Sequence, residues 1–144
     1  MRRTGILMAR NTQTGKVMEE MMLHALEFGG YTTETQVRIG ERLGGGRHYA
    51  DIIAKNEEHT IIISSKWQQS SGTAEQKVPY EYMCLAHAVN TQEDMDYAYI
   101  VLGGTGWTKD SFFLNELKDW VNHDANIRVV RLDDFVALAN NSKL

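Results

Sequence analysis

Cysteine and proline are nearly missing from this chain, with one of each, Cys84 and Pro79, among 144 residues. A lone cysteine forms no intramolecular disulfide, so a reducing, cytoplasmic setting is expected. No apolar run approaches the roughly 20 residues needed to span a bilayer. The N-terminal stretch also lacks the basic, apolar and small-residue order of a signal peptide, so no membrane partner is expected. Basic excess is lacking too, since the formal net charge is −4. That argues against indiscriminate polyanion binding but leaves room for a local basic patch, above all in an enzyme that gathers carboxylates around a metal. The five histidines include no His-x-x-x-His pair of the kind that holds zinc. Repeats, low-complexity tracts and Pro- or Ser-rich linkers are absent as well, and residues 1–144 are read as one domain long enough to bury its own core.

What is present is a sequence of strongly patterned segments. From Lys16 to Phe28, apolar residues Val17, Met18, Met21, Met22, Ala25 and Leu26 recur at helical spacing, and Gly29-Gly30 ends the pattern as a C-cap would. Tyr31 to Ile39 reads as a strand, followed by a glycine-rich turn, "GERLGGGRH". "HYADIIA" and "HTIIISSKW" read as an antiparallel hairpin joined by "KNEEH". Thr73 to Val89 reads as a helix with Thr73 as N-cap and Gln76 at the capping-box position, and with Pro79 able to kink its first turns. "YAYIVLGG" is a strand, Lys109 to Val121 an amphipathic helix, "IRVVRL" a strand, and "DDFVALAN" a final helix capped by Asp133 or Asp134. The expected order is α-β-β-β-α-β-α-β-α, an α/β fold with a mixed sheet flanked by helices on both faces.

One segment demands a chemical explanation. The buried-looking run "HTIII" passes without a turn into Ser64, Ser65 and Lys66, then into further polar residues. On the neighbouring arm of the hairpin stands Asp51, thirteen positions before Ser64. Adjacent antiparallel strands bring such an aspartate and lysine to one end of the sheet. Phosphodiester hydrolysis needs this kind of cluster: carboxylates hold one or two Mg²⁺ ions, and a lysine binds the scissile phosphate and orients water. The plain alternative is a strand-end lysine that reaches solvent beside an ordinary turn aspartate.

The strand order together with Asp51, Ser64 and Lys66 resembles the PD-(D/E)XK, or restriction-endonuclease-like, nuclease superfamily, with Ser-x-Lys in place of the usual Glu-x-Lys. The resemblance covers roughly residues 16–104 and implies an α-β-β-β-α-β core, with Mg²⁺, or alternatively Mn²⁺, held by Asp51. Members with Ser-x-Lys take their second acid from the next helix, where this chain offers Glu75 and Glu81. Glu75 is preferred because it lies nearest the strand end and beside Gln76. Ser64 would hold a ligand beside the metal. "QKVPY" is similar to the Gln-x-x-x-Tyr motif of the RecB-like branch, with Gln76 and Tyr80 in the matching places. A further metal-ligating glutamate on the first helix is matched by Glu19. Arg42, Arg47, His48 and Lys77 are candidate DNA contacts.

The function implied is a Mg²⁺-dependent DNA endonuclease of restriction, homing or junction-resolving type. It is expected to act as a homodimer or higher homo-oligomer, because so short a chain cannot surround a duplex. The alternative is a catalytically degenerate DNA-binding or assembly module on the same fold, in which Ser64 records a lost metal site. "GGTGW" at 103–107 lacks the ending of a phosphate loop and is read as a strand-to-helix turn, and Cys84 as a buried thiol on a helical stripe.

Overall fold

A computed structural model of the chain describes residues 2–121 and 126–144, with side chains described from Gly15 onward within those segments. The element order is α1 (Arg2–Phe28), β1 (Thr32–Glu41), β2 (Arg47–Lys55), β3 (Thr60–Trp67), α2 (Ala74–Thr91), β4 (Tyr97–Gly103), α3 (Asp110–Asn115), α4 (Leu117–Trp120), β5 (Ile127–Arg131) and α5 (Leu132–Asn140). The five strands form one sheet in the order β1-β2-β3-β4-β5. The first three strands run antiparallel, and β4 and β5 join parallel to β3. This is the mixed α/β sheet of a restriction-endonuclease-like fold, as the segment pattern implies.

Both faces of the sheet are covered, which is why β3 opens on an unbroken apolar run. Ile62 faces a core shared with Val78, Tyr82 and Leu85 of α2 and with Phe113 and Leu117 of α3 and α4. Ile61 and Ile63 face the opposite core, built by Met18, Met22 and Leu26 of α1 and by Phe135 and Ala139 of α5. All three isoleucines are fully buried, each contributing roughly 1.5–3 kcal/mol of hydrophobic stabilisation. The α1 terminus is closed as its glycine pair predicts. Gly30 adopts φ 91°, and the Tyr31 and Gly30 amides donate back to the Leu26 and Glu27 carbonyls.

Several boundaries differ from the pattern reading. The segment Lys109–Val121 is not one helix but two short ones, α3 and α4, interrupted at Glu116, whose φ of −125° lies outside the helical range. Thr73 caps no amide with its side chain and sits in helical conformation, so no capping box with Gln76 forms. Asp133 and Asp134 lie within the first turn of α5, after Arg131 at the N-cap, where the helix dipole favours their charge.

Two irregularities in β1 and β2 shape the functional end of the sheet. Pairing of β2 with β3 runs from Lys55↔Thr60 to Ile52↔Ile63 and stops there, so the strands part at Asp51 and Ser64. At the same point the inside-outside alternation breaks. Ala50 and Ile53, three apart, face the core under α2, whereas Ile52 and Ala54 face α1. Gln36, opposite this point on β1, has φ 52° and interrupts the β1–β2 ladder between Thr35↔Ile52 and Val37↔Ala50. Asp51 falls at this break, and its carboxylate is tied to Ser65, which alternates with Ile61 and Ile63 on β3.

Candidate active site

The site is assembled where β2 and β3 separate. With the ladder ended, the Asp51 side chain bridges the opening: its Oδ2 accepts the Ser65 amide at 2.7 Å and the Ser65 hydroxyl at 3.1 Å. Among the described residues Oδ1 accepts no hydrogen bond, so one carboxylate oxygen is left for another ligand. Ser64 and Lys66 share the face of Ile62, directed toward α2, because alternate strand residues point the same way. Ser64 is buried and Lys66 half-buried at the strand end.

From α2 the residue that meets them is Glu81. It lies on the apolar face of the helix between Val78 and Leu85 and is only 3% exposed. Its Oε1 accepts from Arg42 Nη1 at 2.9 Å, and its Oε2 stands 3.3 Å from His48 Nε2. Burial alone would raise its pKa. Hydrogen bonds with His48 and Ser64 and the positive charge of Lys66 reverse that effect and hold it down at about 2. Glu81 is therefore a carboxylate kept ionised inside the protein, as a cation ligand requires. Arg42 responds in kind: burial lowers its pKa, and the bond and charge of Glu81 raise it above its ordinary value.

Glu75, the preferred second acid from sequence, is engaged elsewhere. It is buried, and its oxygens accept the Thr108 amide at 2.6 Å, the Thr108 hydroxyl at 2.7 Å and the Lys109 amide at 2.8 Å. Desolvation raises its pKa, and these three hydrogen bonds outweigh that and lower it. Glu75 thus ties α2 to the turn that starts α3. Its six-residue offset from Glu81, at about 100° per residue, turns the two side chains about 120° apart around the helix.

The remaining candidates divide. His48 is fully buried on the α2 side of β2, so it cannot touch DNA and instead supports Glu81. Its Nδ1 is buried without a hydrogen-bond partner among the described residues. Arg42 is ion-paired to Glu81, while Arg47 and Lys77 are exposed. Gln76 is exposed on α2, one turn before Tyr80, whose hydroxyl donates to the Leu43 carbonyl at 2.5 Å and pins the glycine-rich turn to the helix. Glu19 is half-buried and forms no hydrogen bond or ion pair among the described residues. It follows Met18, which packs on Gly103 and Trp67, so α1 crosses the end of the sheet where Lys66 stands.

The donor set suits a hard divalent cation. Asp51 and Glu81 offer only oxygen, and Mg²⁺ is commonly held by one or two carboxylates completed by water and substrate phosphate. No group of three or more His, Cys, Asp or Glu side chains gathers into a preformed cage among the described residues.

The model of a PD-(D/E)XK nuclease superfamily domain matches residues 10–143. The fold is similar to the crystal structure of a protein of unknown function, AF1548, with a TM-score of 0.52 and 13% identity over 79% of this chain. The chain spans 57% of the length of that protein. No curated protein matches it in sequence. Among the described residues no helix is long and apolar enough to cross a membrane.

Proposed function

This chain belongs to the PD-(D/E)XK nuclease superfamily, and from that premise we propose that it is a Mg²⁺-dependent DNA endonuclease with Asp51, Glu81 and Lys66 at its centre. The observation that carries the reading is Glu81, a buried carboxylate held ionised beside Ser64 and Lys66 where β2 and β3 part. Asp51 and Glu81 would hold the metal, with Glu19 in a supporting place, and Mn²⁺ would substitute for Mg²⁺. When bound, the ion neutralises charge building on the phosphate and favours attack by water.

The chain's own residues supply the rest. Lys66, half-buried with its stem against the sheet, presents its ammonium to a phosphate oxygen and stabilises the charge that grows there. Ser65 fixes Asp51 through two hydrogen bonds to one oxygen, which sets the direction of the other. His48 and Arg42 fix both oxygens of Glu81 in the same way. Ser64, buried beside Glu81, hydrogen-bonds that carboxylate and helps to hold it ionised. Exposed Arg47 and Lys77 are placed to meet the DNA backbone, and two copies of so small a chain would address the two strands.

A second reading, a non-catalytic DNA-binding or assembly module, is favoured by one observation: Arg42 and His48 already occupy both Glu81 oxygens. Incubation with supercoiled plasmid and with branched DNA, in Mg²⁺ and in chelator, separates the two. Strand breaks that need Mg²⁺ are expected. Binding of DNA without breaks in Mg²⁺ or Mn²⁺ would select the second reading.

A further inference from the structure

Beyond Asp51 the β1–β2 hairpin leaves the sheet. Strand β2 has lost β3 as a partner, and β1 is an edge strand throughout, so residues 37–50 form a two-stranded ribbon with both outer edges unpaired. One face of this ribbon is spoken for. Val37, Ile39, His48 and Ala50 pack toward α2, and Gln92 of α2 bonds the Ile39 carbonyl. The other face is open and carries Arg38 and Tyr49, directly opposite one another, and Arg47, two residues from Tyr49 and directly opposite Glu41. Arg38 has 49% of its side chain exposed, and Tyr49 as a residue is 43% exposed.

Charge and shape agree on what fits that face. Residues 38–49 contain three arginines against one glutamate; with Arg42 turned to pair with Glu81, the open face keeps Arg38 and Arg47 against Glu41, a net positive charge within a chain whose net charge is −4. Arg47 has no ion pair among the described residues, and Arg38 makes one exposed ion pair, with Glu41 at 3.9 Å. The ladder register shifts between Arg38 and Gly40, a bulge that bends and twists the ribbon. Gly44, Gly45 and Gly46 at the tip all have positive φ, so the turn is tight and carries no bulky side chain. Two paired strands with their side chains are about 10 Å across, and the B-DNA major groove is about 12 Å wide and admits a two-stranded ribbon.

Resting on the nuclease reading above, we infer that this distal ribbon enters the major groove of duplex DNA beside the site of cutting. Arg38 and Arg47 meet phosphates or guanine edges, and Tyr49 packs between them. The unpaired edge of β2 opens toward Ser64 and Lys66, so a duplex lying along the ribbon brings a phosphate to the fork.

The test measures binding of a mixed-sequence duplex of about 30 base pairs by fluorescence anisotropy in Ca²⁺ over a range of salt, a length that exceeds any groove contact the ribbon can make. The wild-type protein, the Arg38→Ala/Arg47→Ala variant, the Arg38→Lys/Arg47→Lys variant and Tyr49→Ala are compared. The alanine pair is expected to bind at least about tenfold more weakly, and its log affinity against log salt to flatten by about 1.8, the contribution of two phosphates. The lysine pair keeps the charge and is expected to keep the slope. Methylation of guanine N7, which lies in the major groove, is expected to interfere with wild-type binding. An alanine pair with wild-type affinity and slope, from a protein that cuts duplex DNA, would overturn the ribbon alone. A wild-type protein that neither binds nor cuts duplex DNA would overturn the ribbon and the nuclease reading together.

Discussion

Arg42, at the start of the β1–β2 turn, donates to Oε1 of Glu81 at 2.9 Å across a gap of 39 residues. The contact ties the glycine-rich turn to α2 and places a positive charge beside a buried carboxylate. With His48 on the other oxygen and Lys66 close by, Glu81 stays ionised in a nearly dry setting. An unpaired buried carboxylate would take up a proton instead. The cluster therefore keeps an anion ready at the fork between β2 and β3.

Lys66 stands half-buried at the end of β3 with its charge acting on Glu81, and in the proposed mechanism it meets the phosphate. Lys66→Ala is expected to lower Mg²⁺-dependent cleavage by about 10²–10³-fold, in line with removal of one charge-stabilising donor. Its unfolding free energy at neutral pH should fall by no more than about 2 kcal/mol, since a half-buried stem and one of the charges that hold Glu81 ionised are lost together. Loss of the unfolding transition would assign Lys66 to the fold.

Glu75 is a structural residue in this account. Glu75→Ala leaves the Thr108 and Lys109 amides without their acceptor and should cost about 1–3 kcal/mol in denaturant unfolding. A variant as stable as the wild type, or one that loses metal binding without losing stability, would restore Glu75 to the active site.

Acid should reveal the Glu81 cluster. Its pKa is lowered from 4.5 to about 2 on folding, so its contribution to stability is complete above about pH 4.5 and is lost as the pH falls through about 2. That contribution is on the order of 3 kcal/mol. Unfolding free energies of wild type and Glu81→Gln should therefore differ most at neutral pH and converge between about pH 4.5 and pH 2. A difference that stays constant across that interval would show that the carboxylate is not held ionised by the fold.

Ser64→Glu restores the residue most members of the superfamily carry, but here Ser64 is buried against a carboxylate already present. Two like charges would share one confined site, and one of them would have to take up a proton. The substitution is expected to lower both stability and Mg²⁺-dependent cleavage. A large gain in cleavage would mean that Glu81 is not acting as the second acid.

Much of this was legible in the sequence, and what was not has physical reasons. The β-branched run Ile61–Ile63 and the turns "KNEEH" and "LGGG" set the hairpins, and the hairpin brings Asp51 onto Ser65, the residue before Lys66. Closeness along the chain to Lys66 favours Glu75, whereas direction around the helix favours Glu81. A usable signal existed: Glu81 falls three residues after Val78 and four before Leu85, on the apolar stripe, where a charge requires buried partners. His48 carried a similar signal, two residues before buried Ala50 in an alternating strand. The break in alternation at Asp51 had none, because the positive φ of Gln36 leaves no mark in an ordinary glutamine codeword of the pattern. The split between α3 and α4 was equally hidden, since the apolar positions Phe113 and Leu117 keep helical spacing across it.

The central claim, that the acid of this nuclease site is Glu81, is tested most directly by cleavage of supercoiled plasmid in Mg²⁺ with Glu81→Gln and Glu75→Gln side by side. Glu81→Gln keeps shape and loses charge, and it is expected to lose at least about 100-fold in rate, while Glu75→Gln stays within about tenfold of the wild type. Cleavage that survives Glu81→Gln, or that falls only with Glu75→Gln, would contradict the account.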